Sequence, residues 1–503
     1  MREIDQPGVM ERAMEKAWET LRTCRVPIAS ALAAGILTHG FAFTNKLLNA
    51  DEIGALFGKG GGVDYGRWAI GFTNLLFPDA SMPWIYGILS MLLFTAVVCL
   101  TIRIFEIRNV FLQGALGAVF LSFPYMTGLY CYMFTSMPFA FSLLLAVCSV
   151  SMGCSEKRQI RLLGCVPLVI SLGIYQAYVA VAASFYVLVM IRRLLLEKDS
   201  PEKVFRFGVR ALARMGIALA VYYIGSRIAL IGVGTEYAAH GFSEQGIFHR
   251  MALAYNALWK TLTAGYFGYV PTKLSTFLHM AGGVQILILL ALWLKKHFGQ
   301  WKRTGLLLLC LALLPLAMNS VFLLANVEVI HTIVLYSFVS VYVLAIIFLE
   351  SAEGTLAQTW KSLTLAGLLI ICLGNIYFGN ETYLKLYLQY ENAYAYYTSM
   401  VTRMTMADGF DPTCRIALVG RGGAALYTVP EIDTGNLTGP EPELVNVYTK
   451  EALIRQYLGF DVPFATLEEK VELSKLDEVK LMPEYPYQGS IRRVGEYLVV
   501  MLG

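Results

Sequence analysis

NVFLQGALGAVFLSFPYMTGLYCYMFTSMPFAFSLLLAVCSVSMGC, residues 109–154, holds two apolar runs, 109–129 and 136–154, and not one Asp, Glu, Lys or Arg. A helix needs about 20 mostly apolar residues to cross the hydrocarbon core of a bilayer. Two such runs in succession predict a pair of membrane-spanning helices. Similar runs lie at 27–47, 82–102, 162–174, 175–191, 212–232, 279–295, 304–325, 331–349 and 361–379, which predicts about eleven transmembrane helices in all. The pair within 162–191 is short for two crossings. Arg158 and Arg161 precede it and Arg192 and Arg193 follow it, so it reads as a short hairpin tipped near Tyr175 and Gln176.

The composition agrees. Of the 503 residues, 57% are apolar and only 15% are charged, against about 25% in an ordinary soluble chain. Disordered, collagen-like and disulfide-scaffold classes are excluded, and a soluble enzyme is improbable. The fold class expected is a mainly α, polytopic membrane protein carrying a small C-terminal extracytoplasmic α/β domain. That last domain begins near residue 406. CRIALVG (414–420) and EYLVVML (496–502) read as strands, and 448–459 and 467–476 read as helices.

Charge placement orients the chain. Cytoplasmic segments carry an excess of Lys and Arg. With the N-terminus inside, the inner segments hold twenty-two Lys/Arg and the outer loops six. Residues 1–26 then form a cytoplasmic amphipathic segment. Residues 27–405 form the transmembrane domain, with long outer loops 48–81 and 233–278. Residues 406–503, with nine basic and fifteen acidic residues, lie outside. The charged stretch before the first span, with no small-residue cleavage site after it, reads as a retained anchor. No clustered basic face suggests a nucleic-acid partner. Membrane lipid is the expected surroundings.

Nine cysteines without a CxxC pair read as small apolar packing residues. Six scattered histidines show no HxH or HExxH spacing, so no metal site and no cofactor is expected, and a divalent ion has no support. The glycine-rich stretch 420–425 reads as a tight turn.

The chemistry-bearing residues gather in the first outer loop. Asn49-Ala50-Asp51-Glu52 follows the first span, and Asp64-Tyr65-Gly66-Arg67-Trp68 comes a dozen residues later. Acids at the membrane boundary are expensive unless solvated or paired, which makes them candidates for function as well as for an ordinary ion pair. A carboxylate there could accept a proton from a sugar hydroxyl attacking an anomeric carbon. An arginine could hold a phosphate leaving group with its bidentate fork. Lys260 and Lys273 in the second long loop could assist with phosphate, or simply snorkel. His39, Lys46, Arg227, Glu328 and His331 are the other polar residues in or near spans. A lone histidine such as His39 is more often a satisfied core residue than a ligand.

The order of these features resembles the membrane glucosyltransferases of the O-antigen-modifying, Gtr type II, kind. The likeness rests on Asp51-Glu52 after the first span and on Gly66-Arg67-Trp68. It continues with Pro124-Tyr125 and the following YMF patch, then the stretch from Ser171 to Ala177. It closes with Pro486, Gly489, Ser490 and Ile491 ahead of Val499, Val500 and Leu502. The resemblance implies a GT-C-type glycosyltransferase in a bacterial plasma membrane. Such an enzyme takes a sugar, glucose by implication, from a polyprenyl-phosphate donor to a cell-surface polysaccharide acceptor on the extracytoplasmic face, with inversion. It further implies Asp51 as catalytic base, with Glu52 and Asp64 as partners or alternates. Arg67 would bind the donor phosphate, and Tyr125, Tyr175, Gln176 and His331 would line the substrate pocket. Two other classes stay open: a flippase or transporter of lipid-linked saccharides, and a polymerase or ligase relying on His331 and Arg250.

Overall fold

The computed structural model describes residues 15, 18, 19 and 21–502, apart from 57–61, 63–64, 74, 78–79, 232–244, 265–271, 324–331, 421–430, 436, 438 and 440–448. The chain is mostly helical. Its first part runs α1 (Arg25–Thr44), α2 (Ala50–Gly54), α3 (Pro83–Ile104), α4 (Val110–Ser122), α5 (Pro124–Tyr130), α6 (Met133–Gly153), α7 (Cys165–Ile174) and α8 (Val179–Leu195). The second part runs α9 (Pro201–Ala229), α10 (Ile247–Ala264), α11 (Lys273–Lys296), α12 (Trp301–Met318), α13 (Ser340–Ser351) and α14 (Thr355–Thr405).

Eight helical segments among the described residues are long and apolar enough to cross a membrane. Three of the eleven expected spans fall outside that set. Segment 162–174 holds the ten-residue α7. Segment 212–232 starts within α9, a 29-residue helix that carries Lys203, Arg206, Arg210, Arg214 and Arg227. Segment 331–349 begins in short 3₁₀ turns and becomes α-helical only at Ser340.

Local chemistry explains the breaks. Asn109 caps α4 by accepting from the Phe111 and Leu112 amides, each at 3.0 Å. The run 109–129 is two helices rather than one, because Phe123 is extended (φ −58°, ψ 134°) ahead of Pro124. A proline clashes with an α-helical residue before it. The hairpin expected at 162–191 is present. Its tip is Tyr175, extended at φ −152°, followed by a 3₁₀ turn over Gln176–Tyr178.

Small residues bring α1 and α4 together. A Cβ on Gly117 would lie 2.7 Å from the Pro27 carbonyl, and Ser30 Oγ donates to Gly114 O at 2.8 Å. Such close backbone approach replaces the hydrophobic drive that lipid cannot supply. His39 is a satisfied core residue. One ring nitrogen donates to Leu121 O and the other accepts from the Tyr383 hydroxyl, both at 2.7 Å.

The last span and the Tyr-rich run after it form one helix of 51 residues, α14, about 75 Å long at 1.5 Å per residue. Its second half therefore extends beyond any bilayer that its first half crosses. A three-stranded sheet packs there, in the order β1 (Arg415–Val419), β3 (Tyr497–Met501), β2 (Ile491–Val494), with the helix α15 (Leu467–Lys475) between β1 and β2 in sequence. β1 and β3 are parallel, and β2 and β3 are antiparallel. Leu48, just before α2, and Ile53, within it, share one buried cluster with Tyr396, Tyr397 and Met400 of α14 and with Ile416, Leu498 and Val500 of the sheet. The sheet thus sits at the α2 end of the helices.

Candidate active site

The first loop starts with a cap. Asn49 accepts from the Glu52 amide at 2.7 Å, and its side-chain amide donates to Cys131 O at 2.7 Å. This nucleates α2 and ties it to the link between α5 and α6. Asp51 and Glu52 fall in the first turn, where the helix dipole favours acids. They face different ways. Asp51 is exposed, while Glu52 is fully buried.

Every oxygen of Glu52 is engaged. Oε1 accepts from Lys46 Nζ and from Ser81 Oγ, and Oε2 accepts from the Phe134 amide at 3.3 Å. That amide belongs to the first turn of α6, an anion-favouring position. Glu52 thus pins four segments: the end of α1, α2, the start of α3 and the start of α6. Tyr457, from the C-terminal part, lies close enough for the Glu52 charge to act on it. Burial first, and that charge second, push its hydroxyl well above the ordinary tyrosine range.

The second half of the loop is built around Gly66, whose φ of +74° suits glycine. A Cβ there would lie 2.8 Å from the Tyr222 hydroxyl and 3.2 Å from Gln176 Nε2. The loop therefore lies directly on α9 and on the hairpin tip. Gln176 donates to Tyr65 O at 2.7 Å and to the Tyr222 hydroxyl at 2.9 Å. The Ala69 amide donates to Gly173 O at 2.8 Å.

These contacts place Arg67 inside an aromatic box. Its guanidinium carbon is 5.4, 5.5 and 5.3 Å from the ring centroids of Tyr65, Phe139 and Tyr175. Tyr175 stacks on Phe139 with centroids 3.8 Å apart. Behind it, Tyr178 shares a 2.5 Å hydrogen bond with Tyr125. Arg67 Nε, Trp68 Nε1 and the Tyr175 hydroxyl are buried without a hydrogen-bond partner among the described residues. Buried polar groups are ordinarily paired. Three groups able to donate, left unpaired beside a cation, fit an anionic ligand.

Both clusters stand on α6. Glu52 meets it at Phe134 and Arg67 meets it at Phe139. Five residues of helix separate them by about 7.5 Å along the axis.

Of the residues expected in the site, Arg67, Tyr175, Gln176 and Tyr125 come together, and Glu52 lies about 7.5 Å away along α6, with the exposed Asp51 next to it in α2. Lys260 and Lys273 are exposed, one on α10 and one at the start of α11. Asp64 and His331 lie outside the described residues. Asn49, Ser81, Phe139, Tyr222 and Tyr457 were not anticipated. Only Asn49 carried a signal, its N-cap spacing three residues before Glu52.

The family model described as Glucosyl transferase GtrII matches residues 40–349. The chain belongs to this family. The GtrII match takes in both clusters on α6 and the hairpin tip. It leaves α14 and the sheet outside. This GtrII member is therefore a membrane glycosyltransferase, and its residues 350–503 lie beyond the matched region. No curated protein and no solved structure matches the chain.

Proposed function

We propose that this protein is an inverting glucosyltransferase. It moves glucose from a polyprenyl-phosphate donor to a cell-surface glycan on the extracytoplasmic face of a bacterial plasma membrane. The observation that carries the reading is the Arg67 box, where three buried polar groups, one of them the Arg67 Nε, lack partners among the described residues, about 7.5 Å along α6 from the Glu52 cluster that anchors the exposed Asp51. In this reading Asp51 accepts the proton of the acceptor hydroxyl as its oxygen attacks the anomeric carbon. The bond from that carbon to the phosphate oxygen breaks, and the phosphate leaves with its charge held by Arg67. Trp68 Nε1 and the Tyr175 hydroxyl supply further hydrogen bonds to it. Glu52 is a positioning residue that fixes α2 and hence Asp51. Lys260 and Lys273 are left a steering role at the outer surface, and the roles of Asp64 as alternate base and of His331 in the substrate pocket rest on the sequence alone.

The test is transfer from defined polyprenyl-phosphate glucose, read by mass spectrometry of the product. A positioned general base contributes about 10²–10⁴-fold, so Asp51→Asn should cut turnover by that factor with an unchanged melting temperature. Full turnover in the folded variant would remove Asp51 as the base.

A further inference from the structure

A segment from beyond the GtrII match returns to the helix that carries Asp51. Within 431–439, Thr434, Leu437 and Gly439 are buried, while Glu431, Asp433 and Gly435 are exposed. Thr434 Oγ1 accepts from Lys385 Nζ of α14 at 3.0 Å. Leu437 forms a small buried cluster with Phe378 of the same helix. Three extended residues cover about 10 Å, as do the two helical turns between Lys385 and Phe378. The segment therefore runs down α14 towards its spanning half.

It ends against the link between α5 and α6. A Cβ on Gly439 would lie 2.5 Å from Cys131 Cβ and 2.9 Å from Cys131 Sγ, so no larger side chain fits without a shift. The φ of Gly439, +128°, disfavours other residues as well. Cys131 is buried, and its amide donates to the Thr127 and Gly128 carbonyls, each at 3.2 Å. Its carbonyl accepts from Asn49 Nδ2 at 2.7 Å, and Asn49 Oδ1 accepts from the Glu52 amide in the first turn of α2. Gly439, Cys131, Asn49 and α2 form one continuous line of contacts. Packed interiors compress little, so a push at Gly439 is passed along that line. Leu48 and Ile53 give the C-terminal part a second hold on α2, through the cluster shared with α14 and the sheet.

We infer that segment 431–439 is a brace for the base-bearing helix, with Gly439 as a positioning residue that sets Asp51 through Cys131 and Asn49. The inference rests on the reading of Asp51 as the base. It makes a part of the chain outside the GtrII match necessary for turnover and not for donor binding. The Arg67 loop is held separately, by Gln176 and Tyr222.

The test uses the purified full chain, with transfer from polyprenyl-phosphate glucose, polyprenyl-phosphate affinity, and hydrogen exchange at the Glu52 and Ile53 amides. In Gly439→Ala the added methyl must push Cys131 away. Misplacement on the scale of 1 Å costs on the order of 10²-fold, so turnover should fall about ten- to a hundredfold. Exchange at Glu52 and Ile53 should speed up, and polyprenyl-phosphate affinity should stay at the wild-type value. In an Asn49→Ala background, where the line is already cut, most of the Gly439→Ala effect on turnover should vanish. Melting temperatures show whether each variant folds. If Gly439→Ala does not, Leu437→Ala, which adds no bulk and loosens the segment at Phe378, should give smaller changes in the same direction. Wild-type turnover and exchange in the folded variant, or losses that multiply with those of Asn49→Ala, would overturn the brace. Full turnover in Asp51→Asn would remove the base, and the brace is then judged by α2 exchange alone. Wild-type exchange in folded Gly439→Ala beside an inactive Asp51→Asn would remove the brace and keep the base.

Discussion

Glu52 and Arg67 stand on the same two turns of α6 and are built in opposite ways. Glu52 is buried, with Lys46, Ser81 and the Phe134 amide on its oxygens. Arg67 lies among aromatic rings, with Nε, Trp68 Nε1 and the Tyr175 hydroxyl still unpaired among the described residues. A saturated carboxylate fastens segments together. An unsaturated cluster of donors has capacity for a partner not found among the described residues. The lesson is that the acidic pair divides its labour. Glu52 holds the loop, and in the proposed reaction the exposed Asp51 is the acid that meets the substrate.

That contrast can be broken by substitution. Glu52→Ala removes the partner of Lys46, whose side chain is 25% exposed and so partly rehydrated. The expected loss of stability is therefore at the lower end for a broken buried pair, about 3 kcal/mol, read by denaturation in detergent. A melting temperature matching wild type would show that Glu52 is no pin. Gly173→Ala sharpens the other half. Its new methyl would lie 2.8 Å from Trp68 Cε2 and from Ala69 Cβ, so the Arg67 loop must shift. Misplacement on the scale of 1 Å costs on the order of 10²-fold, so transfer should fall about ten- to a hundredfold with stability nearly kept. Unchanged kinetics would argue that the loop's position does not matter.

The smallest effect concerns the sheet that backs the Glu52 end. Glu469 pairs bidentately with Arg415 at 2.5 Å on both oxygens and also accepts from the Thr466 amide. The Arg415 pairing, then the amide, hold its carboxyl at about 2, below its usual 4.5. A depressed carboxyl stabilises the fold above its unfolded value and loses that contribution as pH falls through the folded one. The protection factors for hydrogen exchange at Arg415–Val419, relative to the intrinsic rate at each pH, should therefore fall between pH 4.5 and about 2, and Glu469→Gln should flatten that dependence. The same dependence in the variant would assign it elsewhere.

Much of this was legible in the sequence. The apolar runs gave most of the long helices, and the positions of strands β1 and β3 followed from local pattern. Arg67, Tyr175 and Gln176 were singled out from motifs far apart in the chain, and the hairpin tip brings them together. Other parts were not legible. The packing of Tyr396 and Tyr397 of α14 in one buried cluster with the sheet is a tertiary contact that no local pattern announces. Ser81 and the Phe134 amide reach Glu52 from 29 and 82 residues away, and no local pattern announces them. Lys260 and Lys273 read as possible helpers of Arg67 at the phosphate, or as snorkelling cations. Exposure sets them apart from Arg67, and exposure is set by packing.

The central claim is that the Arg67 cluster, and not the Glu52 cluster, receives the phosphate. Binding of a polyprenyl phosphate to the purified chain tests it directly, comparing wild type, Arg67→Gln and Glu52→Gln. Loss of a bidentate, charge-assisted contact predicts an affinity about tenfold or more weaker in Arg67→Gln, with Glu52→Gln near wild type. Equal affinity in wild type and folded Arg67→Gln protein, or a loss confined to Glu52→Gln, would contradict it.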